Sequence, residues 1–202
     1  MSSKNTIINK ASVLFLKYGI KVISMDNIAD KCGVSKKTIY HYFLNKEDLI
    51  NEIISFKIKE IELKIKNCSI NSSNAIIELN CFFNCLKPFI NAISPSYYND
   101  LKKIYPNIYK KALKIIESDI IPFLQKNILR GQTEKYYIED LNSEELSQSY
   151  NLIYQILISD NFFENIEKNN RAIDFLNTLY IHRLISVEGL KLLNTLDLHK
   201  NN

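Results

Sequence analysis

Apolar side chains recur every three or four residues along most of this chain of 202 residues. That spacing is typical of an α-helix with one buried face. It predicts a first helix over residues 3–18, which Gly19 is placed to end because glycine readily adopts the left-handed conformation at a helix C-terminus. The residues that form this first stripe are Ile7, Ile8, Ala11, Leu14, Phe15 and Tyr18.

The same period, interrupted by capping residues, glycine and proline, predicts about nine or ten helices and therefore an all-α fold. Four glycines and four prolines are too few for the many tight turns of an all-β fold. Pro88 and Pro122 fall inside helical patterns, where each should kink or end its helix, and Gly131 should end another. The predicted helices cover about residues 3–18, 25–32, 36–42, 46–67, 75–90, 95–104, 106–130, 143–159 and 171–186, with a short tail over 187–196.

Two short helices joined by a tight turn are predicted within residues 24–43. Ser24 and Ser35 are good N-caps, and Gly33 lies in the turn, where a positive φ is needed. The second helix has an apolar side made of Val34, Ile39 and Phe43 and a polar side made of Lys36, Lys37, Thr38, Tyr40, His41 and Tyr42. Such a row of phosphate and base-edge binders is typical of a helix-turn-helix whose second helix enters the DNA major groove.

The charge distribution supports the same interpretation. Residues 1–50 contain eight lysines and four acidic residues, which accounts for the whole formal net charge of +4. The rest of the chain is therefore neutral overall. Clustered lysines attract a polyanion and release its counterions, so the predicted helix-turn-helix lies on the segment best suited to bind DNA.

No apolar run approaches the roughly 20 residues that a membrane-spanning helix needs. The first residues also lack the apolar segment of a secretory signal. We therefore expect no membrane partner and a cytoplasmic location.

The four cysteines, Cys32, Cys68, Cys81 and Cys85, form no C-x-x-C pair, and no histidine lies at metal-ligand spacing from them. We therefore expect neither a metal nor a cofactor. Cys81 and Cys85 are one helical turn apart. Such a pair usually faces a core as small apolar residues, but a redox-responsive role for it remains an alternative.

Catalytic chemistry has little support in the sequence. The three histidines are dispersed, no glycine-rich phosphate loop occurs, and no nucleophile motif is present. A binding protein rather than an enzyme is indicated.

The first 50 residues, about a quarter of the chain, resemble the tetracycline-repressor (TetR) family of bacterial regulators. Four linked blocks carry the resemblance: Ile7, Ile8, Ala11, Leu14, Phe15 and Gly19; Ser24 to Ala29; Cys32 to Phe43; and Lys46 to Leu49. The resemblance implies a three-helix helix-turn-helix DNA-binding domain over residues 1–47. It also implies a larger helical effector-binding and dimerisation domain over residues 48–202. A homodimer would bind a palindromic operator on double-stranded DNA, and a small molecule would relieve repression.

The resemblance also implies roles for individual residues. Ser24 and Ser35 would contact phosphates, and Lys46 would bind a phosphate at the start of the fourth helix. Lys37 departs from the family, in which a small residue is frequent at that position. Lys36, Lys37 and Thr38 would lie nearest the base edges, and Tyr40, His41 and Tyr42 would contact the sugar-phosphate backbone or thymine methyl groups.

Aromatic residues cluster in the middle of the chain and could line an effector pocket. Tyrosine offers an apolar ring with a hydroxyl at its tip, which suits a hydrophobic or amphipathic ligand. At helical spacing such residues are more often core, so a DNA-binding regulator without an effector remains open. The candidate ligand-binding residues are Phe82, Phe83, Phe89, Tyr98, Tyr105, Tyr109 and Phe123.

Overall fold

The computed structural model describes residues 3–159 and 166–198. Within these ranges the chain is helical and contains no strand, although one isolated antiparallel bridge joins Tyr137 to Ile185. The all-α prediction is confirmed. The helices are α1 (Ser3–Tyr18), α2 (Met25–Cys32), α3 (Lys36–Tyr42), α4 (Lys46–Asn71), α5 (Ala75–Ala92), α6 (Pro95–Ile104), α7 (Pro106–Ile115), α8 (Ile121–Thr133), α9 (Ser143–Ser159), α10 (Ile166–Leu184) and α11 (Val187–Leu198).

Several expectations about helix ends were wrong. Helix α5 does not end at Pro88 but continues to Ala92, while a kink at Pro88 stays a prediction. The single helix predicted over 106–130 is divided by a π-helical turn at Ile116–Ile120, so that Pro122 lies in the first turn of α8, where its missing N–H costs nothing. Gly131 lies inside α8 and does not end it. The Tyr137 ring packs against Gly131, and a Cβ there would overlap that ring.

The chain divides into two compact units. The first contains the described residues up to Ile61 together with Pro88–Ile115. The boundary at residue 47 stays a prediction, because the compact unit that contains α1 to α3 also includes the first part of α4 and helices α6 and α7. The second unit contains Glu62–Lys87 and the described residues from Ile116 onward.

The first unit has one apolar core, to which each of its helices contributes. Its fully buried side chains come from every helix of the predicted DNA-binding domain. Helices as short as α2 and α3 are not stable alone, so packing against this core holds them in place. The largest of them are Phe15, Phe43, Ile7, Ile20, Ile28, Ile39, Leu49 and Ile50.

The turn between α1 and α2 is fixed by α6. The backbone N–H of Lys21 donates to the Asp100 carboxylate over 2.7 Å, and the N–H of Ser94 donates to the Leu16 carbonyl over 2.9 Å. Gly19 has φ +89°, and a Cβ there would lie 2.9 Å from Ser96. These contacts fix the backbone between α1 and α2.

A buried polar network in the second unit ties α5 to α8. The Asn127 side-chain amide donates to the Ala75 carbonyl over 2.9 Å and to Glu78 over 2.8 Å. The Tyr137 hydroxyl donates to the same Ala75 carbonyl over 3.1 Å, and the Ala75 N–H donates to Glu134 over 2.7 Å. Each buried group therefore has a partner, which is the condition for a polar network to stabilise a core.

None of the described helices combines the length and the apolar character needed to cross a membrane.

Candidate nucleic-acid interface

Helix α2 begins with a complete capping box. The Asn27 N–H donates to the Ser24 hydroxyl over 3.1 Å, and the Ser24 N–H donates to the Asn27 side-chain oxygen over 2.8 Å. Reciprocal bonds of this kind satisfy N–H groups that a helix start otherwise leaves unpaired. Ser24 is exposed, as its predicted phosphate role requires.

The turn between α2 and α3 depends on Gly33. Its φ of +70° is in the left-handed region, and its N–H donates to the Asp30 carbonyl over 3.1 Å. The next N–H, that of Val34, donates to the Ala29 carbonyl over 3.1 Å. The chain therefore reverses within a few residues, and α3 begins directly afterwards at Lys36.

The two buried residues of α3 set the orientation of the helix about its own axis. Ile39 is fully buried and Phe43 is 1% exposed, while Ser35 caps the helix by accepting the Thr38 N–H over 3.1 Å. The two hydroxyls of Ser35 and Thr38 also lie 2.8 Å apart. With its apolar side fixed inside the unit, the helix must turn its polar side outward.

The outward side of α3 carries Lys36, Lys37, Tyr40 and His41, all of which are exposed. The Lys36 ammonium lies 2.8 Å from the Asp26 carboxylate of α2, which raises the pKa of Lys36 through a hydrogen bond and through charge. This exposed pair is weak in water, so a phosphate can displace Asp26. Lys37 makes no ion pair within the described ranges.

Tyr42 differs from its expected exposed position. Its side chain is half-buried and packs against the core of the first unit, with the His41 ring edge-on at 5.1 Å. Tyr40, by contrast, is 44% exposed. Of the three ring-bearing side chains predicted to face DNA, Tyr40 and His41 are exposed to solvent and Tyr42 is only partly exposed.

Lys46 also differs from its expected role as a phosphate ligand. Its ammonium donates to the Ile20 carbonyl and lies 5.8 Å from the centre of the Phe15 ring. Burial lowers the pKa of Lys46, and the Asp100 charge partly opposes that effect. In this conformation Lys46 holds the turn that follows α1 and does not extend from the surface.

Sequence reasoning missed two acidic residues that shape this surface. Asp26 pairs with Lys36 across ten residues, and Asp100 accepts the Lys21 N–H across 79 residues. The sequence gives no signal for either pairing, because a side chain's partner depends on packing between separate helices.

The seven aromatic candidates are divided between the two compact units. In the second unit, Phe82 stacks on Phe123 with ring centres 4.5 Å apart, and both are buried. Phe83 lies 5.8 Å from the Tyr150 ring and 6.5 Å from the Tyr180 ring. These three predicted residues therefore belong to a packed aromatic cluster that also contains tyrosines from α9 and α10.

The other four candidates, Phe89, Tyr98, Tyr105 and Tyr109, belong to the first unit. The hydroxyls of Tyr98 and Tyr109 are 2.6 Å apart, and Tyr105 packs against the core. None of the seven candidates lines an open cleft of about 330 Å³ in this unit, whose lining residues are Leu44, Asn45, Glu47, Asp48, Asn51, Asn107, Ile108 and Lys111.

The aromatic cluster of the second unit contains two buried hydroxyls without a hydrogen-bond partner in the described part of the chain, those of Tyr154 and Tyr180. The neighbouring Tyr150 hydroxyl, in contrast, donates to the Asn177 side chain over 2.6 Å. Burial raises the pKa of all three phenols, so they remain neutral donors. The helical spacing of these tyrosines predicts only packing and gives no sign of an unpaired hydroxyl.

The cysteine pairing differs from the alternative raised by the sequence. Cys81 forms a disulfide with Cys68 of α4, and Cys85 is a free thiol. Cys81 and Cys85 lie on one helix face, but two side chains that leave the same helix in parallel do not meet as readily as two from facing helices. Among the described residues no cluster of three or more potential metal ligands occurs.

Residues 7–53 match a family described as bacterial regulatory proteins, tetR family. Over 61 residues, 30% of this chain, the sequence is 39% identical to the HTH-type transcriptional regulator YhgD of Bacillus subtilis. The matched segment spans 32% of that relative's length.

Solved structures match over nearly the whole chain. A TetR-family regulator from Agrobacterium tumefaciens has a TM-score of 0.74 and 15% identity, over 91% of this chain and 98% of its own. The fatty acid degradation regulator FadR from Bacillus halodurans has a TM-score of 0.68 and 17% identity, over 90% and 95%. At these identities the likeness establishes the fold alone.

The two lysines give a direct test of the site. We expect Lys36→Ala to weaken DNA binding and to lower the slope of log affinity against log salt by about one unit, because one fewer lysine then neutralises a phosphate. Lys46→Met should weaken binding by loosening the turn at Ile20 while leaving that slope unchanged. Filter binding or fluorescence anisotropy across a salt series measures both. A lower slope for the Lys46 variant would restore its role as a phosphate ligand.

Proposed function

We propose that this chain, a member of the tetR family of bacterial regulatory proteins, is a sequence-specific regulator of transcription that binds a palindromic operator as a homodimer. Residues 1–47 would bind DNA, and residues 48–202 would provide the dimer contacts and the effector site. Because its target is DNA, we place the protein in the cytoplasm of a bacterium. Repression relieved by a small molecule is the mode of action that we favour.

The observation that carries the proposal is the fixed rotation of α3. Ile39 and Phe43 are buried, so Lys37, Tyr40 and His41 face outward together. A helix presented in this way fits the major groove, which is wide enough to admit one helix with its side chains. Lys37 and His41 would choose the sequence through base edges, while Ser24, Ser35 and Lys36 would fix position through phosphates.

The operator is the first test. Selection of bound fragments from random double-stranded DNA should yield a palindrome whose half-sites are about one helical turn, 34–36 Å, apart. Lys37→Ala should relax the preference at particular base pairs, and the exposed Lys17→Ala, on α1, serves as a control that retains it. Recovery of fragments with no common sequence, or of a single unrepeated half-site, would contradict sequence reading by a dimer.

A dimer is supported by the apolar side chains that α9 and α10 expose. Leu152 is 61% exposed, Phe175 63% and Leu179 50%. The opposite side of α10 is buried, since Ile173, Tyr180 and Leu184 are covered within the protomer. Exposed apolar groups of this size favour association with another protein surface, and a second copy of the same two helices would cover them.

Introducing a charged side chain at the proposed dimer interface tests its location. Phe175→Glu should raise the dimer dissociation constant at least about thirtyfold, because it replaces a large apolar contact with a carboxylate that must be desolvated. Analytical ultracentrifugation measures the change. Ile70→Glu, at a position of α4 that is 66% exposed, is the matched control and should leave the dimer intact. Equal effects of the two substitutions would place the interface elsewhere.

An effector site is supported by the aromatic cluster of the second unit. Phe83 and Tyr180 supply apolar surface, and the unpartnered Tyr180 hydroxyl, in a residue 6% exposed, is a donor for a ligand oxygen. FadR, one of the structural neighbours, is described as a fatty acid degradation regulator. A fatty acid or acyl thioester combines an apolar chain with oxygen acceptors and is the first class to try. Such a ligand would release DNA only by binding the two protein conformations with different affinity.

Two tyrosine-to-phenylalanine changes test this site. Tyr180→Phe should keep or raise the melting temperature, since it removes a buried hydroxyl that lacks a partner. Tyr150→Phe breaks the bond to Asn177 and should cost about 1 kcal/mol. Stabilisation by oleate or oleoyl-coenzyme A should shrink in the Tyr180 variant. If Tyr180→Phe costs as much as Tyr150→Phe and no acyl compound stabilises the native chain, the regulator without an acyl effector is favoured.

A further inference from the structure

The second unit contains a covalent link between two helices that the function so far does not use. Cys68 lies near the end of α4 and Cys81 lies in α5, thirteen residues later, and their sulfurs are bonded. Their Cα atoms are 5.6 Å apart, within the range that a disulfide can span. Cys68 is 2% exposed, whereas Cys81 is only half-buried. Cys81 is therefore the more exposed of the two bonded residues.

The connection between α4 and α5 is held without the sulfurs. The Arg130 guanidinium donates to the Ser72 carbonyl over 3.0 Å, and the Asn127 amide donates to the Ala75 carbonyl over 2.9 Å. Both donors belong to α8, so the turn over residues 72–75 has its own anchor. Loss of the disulfide therefore leaves the turn in place and frees only the facing parts of the two helices. This arrangement suits a bond that opens and closes more than one that holds the fold.

A third thiol lies next to the pair. Cys85 is one turn beyond Cys81 on α5, and its thiol donates to the Phe82 carbonyl over 3.2 Å. Burial raises the pKa of Cys85, although the Lys64 charge partly opposes this. Cys85 therefore remains a protonated thiol. Cys85 is a matched control because it lies on the same helix as Cys81 and is also half-buried, but its sulfur is not bonded to another sulfur.

We propose that Cys68 and Cys81 form a reversible oxidation site, which takes hydroperoxides or low-molecular-weight disulfides as oxidants and whose state changes the affinity for DNA. The effect on DNA affinity rests on the proposed function, and so does the reducing compartment that favours a transient bond. DNA-binding regulators work where glutathione and thioredoxin keep thiols reduced, and a disulfide in such a compartment is usually transient.

The chemistry balances with either oxidant. The Cys81 thiolate attacks a hydroperoxide oxygen and becomes a sulfenic acid as the alkoxide or hydroxide leaves and takes a proton. The Cys68 thiol then displaces water from that sulfenic acid and forms the disulfide. With a small disulfide as oxidant, Cys81 forms a mixed disulfide and expels one thiol, and Cys68 expels the second. Two external thiols reverse either route and are released as their own disulfide.

The link between this site and DNA is α4 itself. One uninterrupted helix runs from Lys46, whose side chain holds the turn before α2, to Asn71, three residues after Cys68. Joining Cys68 to Cys81 restricts the last turns of that helix against α5. Two states of the bond thus give two ranges of motion to a helix whose other end positions the DNA-binding helices, which is the differential effect that coupling needs.

The first experiment measures the thiols in the full-length protein. After equilibration in glutathione buffers of varied thiol-to-disulfide ratio, or after hydrogen peroxide, alkylation and peptide mass spectrometry should show a Cys68–Cys81 bond that forms and disappears with the ratio. Cys85 should stay alkylatable throughout. No bond after either oxidant, a bond between Cys81 and Cys85, or a bond that persists in excess reduced glutathione would each overturn the proposal.

The second experiment compares operator affinity in the reduced and oxidised protein. The native chain and Cys85→Ser should show a change of about fivefold or more, the lower end of ordinary coupling between sites. Cys68→Ser and Cys81→Ser should show none, with circular dichroism confirming that both variants fold. A bond that cycles without changing the affinity would overturn the regulatory claim. Failure of every form to bind DNA would instead remove the proposed function, and the thiol measurement would still decide the oxidation site.

Discussion

The burial of Ile39 and Phe43 is the constraint on which the proposed DNA-binding surface depends. Helix α3 has only seven residues and would not be stable alone in water. Two buried side chains and the Ser35 cap fix both its position and its rotation. Every outward residue of the helix takes its direction from that burial, so the binding surface follows from the packing of the opposite side.

The lysines near α3 contribute less exposed positive charge to the proposed DNA-binding surface than their number suggests. Lys37 is presented to solvent, Lys36 is paired with Asp26, and Lys46 is directed toward the Ile20 carbonyl. The three lysines therefore differ in environment although they lie within eleven residues of one another. Lys37 is exposed without an ion pair among the described residues, Lys36 is paired with Asp26, and Lys46 supports the turn between α1 and α2.

The second unit contains a hydrogen-bonded polar network around Asn127 and also buried hydroxyls that lack a hydrogen-bond partner among the described residues. Asn127 donates to both the Ala75 carbonyl and Glu78, whereas the hydroxyls of Tyr154 and Tyr180 are buried without a partner among the described residues. A satisfied network gives a stable frame, and an unpaired donor inside that frame is a place where a ligand gains specificity. The Cys68–Cys81 bond adds a covalent link between α4 and α5.

The sequence by itself determined the local features. The bounds of α1, α2 and α3, the caps at Ser24 and Ser35, the turn at Gly33 and the buried character of Ile39 and Phe43 follow from spacing and residue type, which act over a few residues. Only the tertiary structure decided the pairing of Asp26 with Lys36, the inward direction of Lys46, the half-burial of Tyr42, the choice of Cys68 as partner of Cys81, and the place of Gly131 inside a helix. Each of these depends on which helix packs beside which, and periodicity along the chain carries no information about that choice.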